Sequence, residues 1–392
     1  MITVVGIGAD GWSGLDDARR RAVEAADVVL GGQRHLGMLP DTVRAERRSW
    51  PSPLRDELPG MLDDLSDRRV VALASGDPLI AGIGSTFIEL FGADNVTVLP
   101  AASSVALARA RMGWPAESVT VLRDYRELTR HLAPGNRILI LSADGSTPEA
   151  AARLLADGGF GDSEVTVLES LGASDERRLD GTAAAVSGDF TSLNVIAVEC
   201  RGPEGLGWTS GLPDEAFDHD GQLTKRDIRA SALARLAPAP GQLLWDVGAG
   251  AGSIGIEWMR AHPTCRAIAV EARQDRAKRV AENAVRLGVG ALRVVIGHAP
   301  EALAELPKPD AVFIGGGATD AGMLDGCWAS LRSGGRLVVH GVTLETERVL
   351  AERYATDGGE LTRLHIEHAA PIGSFTGWKP GRAVVQWAVT KP

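Results

Sequence analysis

Cysteine is scarce in this chain. There are three in 392 residues, Cys200, Cys265 and Cys327, all far apart. No two have metal-ligand spacing, and an odd number argues against a disulfide framework. Inert thiols in a reducing cytoplasm are the expectation. Long hydrophobic runs are also missing. The longest apolar stretches, such as residues 70–74 and 138–141, have the length of a strand and fall well short of a membrane span. The opening Met1-Ile2-Thr3-Val4-Val5 lacks the basic region and apolar core of a signal peptide. Positive charge is in deficit, with a formal net charge of -10. That argues against a nucleic-acid partner, because phosphate neutralisation supplies most of such affinity. An anionic small substrate remains compatible, provided Arg and Lys gather in a cleft. The histidines are scattered, and His365 with His368 alone do not make a metal site, so no metal is expected.

What is present is an α/β pattern, twice. The length suits two domains of about 200 residues each. Strands are expected at residues 3–7, 70–74, 96–99, 137–141, 165–168 and 193–198, alternating with helical stretches. That alternation predicts a mixed or parallel sheet covered by helices. From Arg201 to Gly221 the periodicity stops and Gly202, Pro203, Gly205, Gly207, Gly211 and Pro213 accumulate. The chain is therefore divided into a first domain over 1–204, a linker over 205–222 and a second domain over 223–392. In the second, strands are expected at 243–247, 267–270, 292–296, 311–314, 337–339 and 384–389. A helix that buries Ala277, Val280, Ala281, Ala284 and Leu287 is expected to stop at Gly288.

Residues 243–252 read as a strand ending in a glycine turn that opens a helix. Glycines there let a backbone approach a ligand closely. Glu271 stands at the end of the next strand, where an acid can accept hydrogen bonds from both ribose hydroxyls of a nucleoside. Gly250-Ala251-Gly252-Ser253-Ile254-Gly255 also matches the dinucleotide fingerprint, a weak signal alone. Asp246, two residues before the first glycine, decides between the two. An acid beside a pyrophosphate would repel it, whereas S-adenosylmethionine brings a cationic sulfonium and an ammonium. A bare strand-helix turn would explain the glycines but not Asp246 together with Glu271. In the first half, Gly6-Ile7-Gly8-Ala9 and Ser75-Gly76-Asp77-Pro78 are two further turns. The second alone reads best as an ordinary turn with Asp as its hydrogen-bonding residue.

The residues from Asp246 to Gly252, with Glu271, resemble the class I methyltransferase signature. Leu223-Thr224-Lys225-Arg226-Asp227, Gly297-His298-Ala299-Pro300-Glu301 and Phe313-Ile314-Gly315-Gly316-Gly317 are similar to segments of the precorrin carbon-15 methyltransferase and decarboxylase family. This resemblance covers nearly all of 223–392. It implies a Rossmann-like class I domain in which Thr224, Asp246, Gly248, Ala249, Gly250, Ala251, Gly252, Glu271 and Ala299 contact the methyl donor. His298 stands where that family usually has an acid. In the first half, Gly6-Ile7-Gly8, Ser75-Gly76-Asp77-Pro78 and Pro100-Ala101-Ala102-Ser103-Ser104 occur in the order found in the tetrapyrrole (class III) methylases. Gly31-Gly32-Gln33-Arg34-His35 and Glu169-Ser170-Leu171-Gly172 fit their precorrin carbon-5 branch. The implied fold is two small α/β lobes, with Gly8, Ala9, Gly76, Asp77, Ile80, Ser103 and Ser104 lining a donor site between them. Arg34, His35, Lys225 and Arg382 are the candidates for substrate carboxylates.

Both resemblances in one chain imply a decarboxylating enzyme of cobalamin biosynthesis that methylates carbons 5 and 15 of precorrin-6B and uses S-adenosylmethionine at two sites. The same chemistry on a cobalt-precorrin or another tetrapyrrole stays open. So do a non-catalytic cofactor-sensing protein and, last, a dinucleotide oxidoreductase. Self-association into a homo-oligomer is an expectation from the resemblance. No membrane partner is expected.

Overall fold

The computed structural model describes residues 2–392; Met1, where the first domain is expected to begin, lies outside the described residues. The chain divides into two compact units: Met1–Leu128 with Leu132–Glu204, and Gly205–Pro392 with Thr129–His131. Among the described residues no helix is long and apolar enough to cross a membrane.

The first unit contains two five-stranded sheets. One is built from β1 (Ile2–Ile7), β2 (Val28–Gly31), β3 (Glu46–Ser49), β4 (Val70–Ser75) and β5 (Val96–Leu99), in the order β3-β2-β4-β1-β5. All its pairings are parallel. Its central strands β1, β2 and β4 are almost wholly buried, as a sheet covered on both faces requires. The other holds β6 (Val119–Leu122), β7 (Arg137–Leu141), β8 (Glu164–Glu169), β9 (Arg177–Thr182) and β10 (Asn194–Glu199), in the order β6-β7-β10-β8-β9. Only β6–β7 is parallel here. The helix Ser104–Met112 is capped at its start by Ser103, whose hydroxyl accepts from Ala106 N–H, and ended by left-handed Gly113.

The second unit holds a seven-stranded sheet of β11 (Leu243–Val247), β12 (Arg266–Glu271), β13 (Arg293–Ile296), β14 (Ala311–Ile314), β15 (Arg336–Gly341), β16 (Glu360–Leu364) and β19 (Val384–Thr390). The order is β13-β12-β11-β14-β15-β19-β16. The strands from β11 to β15 run parallel, and β19 enters antiparallel between β15 and β16. The order reverses between β11 and β14, and sheets of this kind bind ligands beyond the carboxyl ends of the strands at such a reversal. An unexpected hairpin, β17 (Glu367–Ile372) with β18 (Phe375–Pro380), lies between β16 and β19 in sequence and pairs only with itself.

Two local expectations need correction. The helix Gln274–Arg286 buries Ala277, Val280 and Ala284 as its period requires, but Ala281 is exposed and Asn283 is buried. Asn283 earns burial by bonding at every arm: its oxygen accepts from Asp218 N–H at 2.9 Å, and its amide donates to the carbonyls of Asp218 and Ala251. The glycine- and proline-rich stretch 205–222 is not a loose tether either. Leu212 and Phe217 are buried in the core of the second unit. The Glu257 carboxylate accepts from the N–H groups of Gly211 (2.6 Å) and Leu212 (3.0 Å).

Candidate functional site

In the first unit, β1 and β4 lie side by side and deliver two glycine turns to the same edge. The approach is close: a Cβ on Gly6 would stand 2.0 Å from the Gly76 carbonyl oxygen. Gly76 itself has φ +52, a conformation that costs glycine little. Asp77 then closes its turn by accepting from Leu79 N–H at 2.9 Å. These turns wall a cavity of about 340 Å³ that the second sheet closes with Leu141, Ser142, Ala143, Leu193 and Asn194. The cavity wall brings together Gly8, Ala9, Gly76, Asp77, Ile80, Ser103 and Ser104, and Arg34 reaches it as well.

His35 does not reach that wall. Its role is local: Arg34 Nη2 donates to His35 Nε2 at 2.8 Å and to Ser75 Oγ at 3.0 Å. A guanidinium only donates, so His35 Nε2 is the acceptor and its proton sits on Nδ1. Burial, reinforced by the Arg34 charge, pushes the His35 pKa down to about 4, which keeps the ring neutral and able to accept. The Arg34 pKa is also lowered by its desolvated surroundings, although part of the side chain reaches solvent.

In the second unit, the loop after β11 turns through Gly248, Gly250 and Gly252, all at positive φ. A Cβ on Gly252 would meet Val280 Cγ1 at 2.7 Å, and one on Gly250 would meet the Gln222 carbonyl at 3.1 Å. Positive φ favours glycine at both, and at Gly252 the packing against Val280 excludes a Cβ as well. Gly248, Ala249 and Gly250 reach the surface, while Ala251 and Gly252 are buried. Gly248 adjoins the Gly315-Gly316 turn after β14, so the loop sits at the strand-order reversal.

Two carboxylates support this loop. Glu271 Oε2 accepts from Gly250 N–H at 2.9 Å and Oε1 accepts from Arg273 N–H at 3.0 Å. Each oxygen keeps lone pairs for a ligand hydroxyl. Asp246 is 1% exposed and lies behind the loop, with Oδ2 accepting from Gly255 N–H at 2.9 Å. Burial pushes its pKa up to about 7; the Gly255 N–H opposes the shift and the charge of Glu271 adds to it. Thr224 is held in place because its carbonyl accepts from buried Arg229 at 2.5 Å. Ala299 precedes Pro300 in a half-buried turn after β13.

The other sequence-derived candidates are more dispersed. Lys225 Nζ is ion-paired with Asp214 at 3.3 Å. Arg382 is exposed just after β18, and His298 is exposed with its carbonyl accepting from Ala302 N–H. Sequence reasoning missed Arg123, Ser142, Ser192 and Asn194 on the cavity wall. They come from loops and strands of the second sheet and form no contiguous motif.

Two family models match successive parts of the chain. Residues 1–187 match the model of the tetrapyrrole (corrin/porphyrin) methylases, and residues 215–391 match that of the precorrin methyltransferase domain. A Mycobacterium tuberculosis protein named precorrin-6Y C(5,15)-methyltransferase [decarboxylating] is 48% identical over all of this chain and all of its own length. A Salmonella typhimurium cobalt-precorrin-7 C(5)-methyltransferase is 29% identical over 51% of this chain and its whole length. A Pyrobaculum calidifontis protein named probable cobalt-precorrin-6B C(15)-methyltransferase (decarboxylating) is 34% identical over 43% of this chain and 89% of its own.

Proposed function

Because the chain belongs to the family of decarboxylating precorrin-6Y C(5,15)-methyltransferases, we propose that it methylates carbons 5 and 15 of precorrin-6B (precorrin-6Y) and removes the carboxylate of the carbon-12 acetate, giving precorrin-8X for cobalamin. The enzyme depends on S-adenosylmethionine, and our reading gives it one donor site per unit. The observation that carries this reading is the presence of two separate glycine-turn sites of different construction: a walled cavity in one unit and a loop backed by Asp246 and Glu271 in the other. We assign carbon-5 methylation to the cavity, and carbon-15 methylation with decarboxylation to the loop.

The donor supplies a methyl group on a cationic sulfonium. The residues present fit it. In the second unit, Glu271 offers its remaining lone pairs to ribose hydroxyls. The bare backbone of Gly248 to Gly250 admits close approach, and Asp246 places an acid behind the loop for a cationic ligand. In the first, the turns at Gly8–Ala9 and Gly76–Asp77 and the helix start at Ser103–Ser104 present backbone to the cavity. Arg34, aimed by His35 and Ser75, offers its remaining N–H groups to a substrate carboxylate.

Methyl transfer to an electron-rich ring carbon is an in-line displacement. The protein's task is to align the two reactants and exclude water; no strong base is needed to begin. Carboxylate loss needs an electron sink, which the conjugated macrocycle provides after methylation, so no Schiff-base lysine is called for. The test is mass spectrometry of the product made from precorrin-6B and methyl-labelled donor. Two labelled methyl groups and the loss of one carbon dioxide are expected. A product carrying one methyl, or retaining every carboxylate, would refute the assignment.

A further inference from the structure

We propose that Arg123 is a second carboxylate-binding residue of the N-terminal cavity, acting with Arg34 as a two-armed clamp on the acidic side chains around the precorrin ring. The inference rests on reading that cavity as a precorrin methylation site. Arg34 reaches the cavity from beside the first sheet, while Arg123 follows β6 of the second sheet and lines the same cavity. The two guanidiniums thus come from different walls.

Arg123 is exposed and takes part in no hydrogen bond or ion pair among the described residues. An acid stands next to it in sequence, yet Asp124 is already committed. Its oxygens pair with Arg126, Nη2 to Oδ2 at 2.6 Å, and accept from Arg126 N–H at 2.9 Å. The contrast with Arg34 is informative. Arg34 is fixed by His35 and Ser75, whereas Arg123 is a charge without a local partner facing the same space.

Asp77 is the one acid on the wall, and it is bonded to its own turn. Two cations from different walls suit a large ligand with several separated carboxylates. They suit the methyl donor poorly, since it carries one carboxylate against two positive groups. Arg123 therefore selects the substrate and leaves the donor to the glycine turns.

The experiment uses the full chain with precorrin-6B and labelled donor, comparing Arg123→Ala, Arg123→Gln and Arg123→Lys. Wild-type delivery of methyl to carbon 5 is the entry condition; without it the cavity reading fails and the clamp fails with it. Given that delivery, Arg123→Ala and Arg123→Gln should raise the KM for the tetrapyrrole in carbon-5 methylation about tenfold or more. Arg123→Lys should recover part of the loss. The KM for the donor, and carbon-15 methylation with carbon dioxide release, should stay as in wild type. An unchanged tetrapyrrole KM in both neutral variants would overturn the clamp. So would a donor KM that rises by the same factor, which would assign Arg123 to the donor's carboxylate. The thermal transition of each variant is measured alongside, and because Arg123 is exposed no shift is expected.

Discussion

Asp246 carries a consequence that can be measured without substrate. A carboxyl whose pKa is about 7 in the folded chain and near 3.8 when unfolded holds its proton more tightly in the folded state. Its contribution to stability is complete below about pH 4 and is lost as pH rises through 7. Asp246→Asn removes this titration while keeping shape. The stability of wild type relative to Asp246→Asn should therefore fall between pH 5 and pH 7, by up to about 1.4 kcal/mol per pH unit, and level off above. Denaturant unfolding of the second unit at four pH values gives the answer; parallel profiles would show that Asp246 does not titrate in this window. Sequence reasoning placed Asp246 and Glu271 at the loop because strand ends and glycine turns are written in contiguous residues. It could not show that Asp246 faces inward with 1% of its surface exposed. Nor could it see that His35 and Arg34 meet at Ser75, because that residue is 40 positions away from His35 in the sequence. Arg123 was invisible for the same reason: its significance depends on a wall formed by two sheets.

The segment ahead of the glycine loop is an element in its own right, held by one buried cation. Arg229 is fully buried; its Nε donates to Glu257 at 2.5 Å, and its other arms bond Asp214 and the carbonyls of Thr224 and Leu212. The same Glu257 accepts from Gly211 and Leu212. Removing the cation leaves a buried carboxylate and two carbonyls short of a partner. Arg229→Met should therefore destabilise the second unit by about 3–5 kcal/mol. Donor affinity there should also weaken, because Thr224 loses its anchor. A loss below about 1 kcal/mol in denaturant unfolding would mean that water or a shifted side chain replaces the guanidinium. This packing was not legible in 205–222, where glycine and proline without apolar period look like a linker; the order comes from buried Leu212 and Phe217 and from Glu257 on the helix they meet. Strands such as β1, β4, β11 and β14 were legible because short apolar runs stop at glycine. β3 and β9 were not, since Glu46–Ser49 and Arg177–Thr182 are polar edge strands with little apolar alternation to show. The β17–β18 hairpin escaped for a related reason: Ile372, Phe375 and Trp378 are exposed at 63%, 78% and 71%, so no buried face imposes a period of two on them.

For the whole molecule, the question is which unit does which step. Carboxylate loss and carbon-15 methylation share one electron sink, so one bound pose can serve both, and the proposed function assigns both to the loop of the second unit. That division can be tested in the intact chain by disabling one site at a time. Ser104→Trp places an indole on the wall of a cavity of about 340 Å³ at an exposed position, so it should block the first site and leave folding intact. Under the proposed function Glu271 accepts from two ribose hydroxyls, so Glu271→Ala should weaken donor binding at the second site by about 1–3 kcal/mol, roughly ten- to a hundredfold. With precorrin-6B and labelled donor, Ser104→Trp should accumulate a product with one new methyl and one carboxylate fewer. Under donor concentrations that saturate only the intact site, Glu271→Ala should release no carbon dioxide, whichever methylation comes first. Decarboxylation that survives in Glu271→Ala and disappears in Ser104→Trp would transfer that step to the first unit. Loss of both activities in either variant alone would mean that the two sites do not work separately.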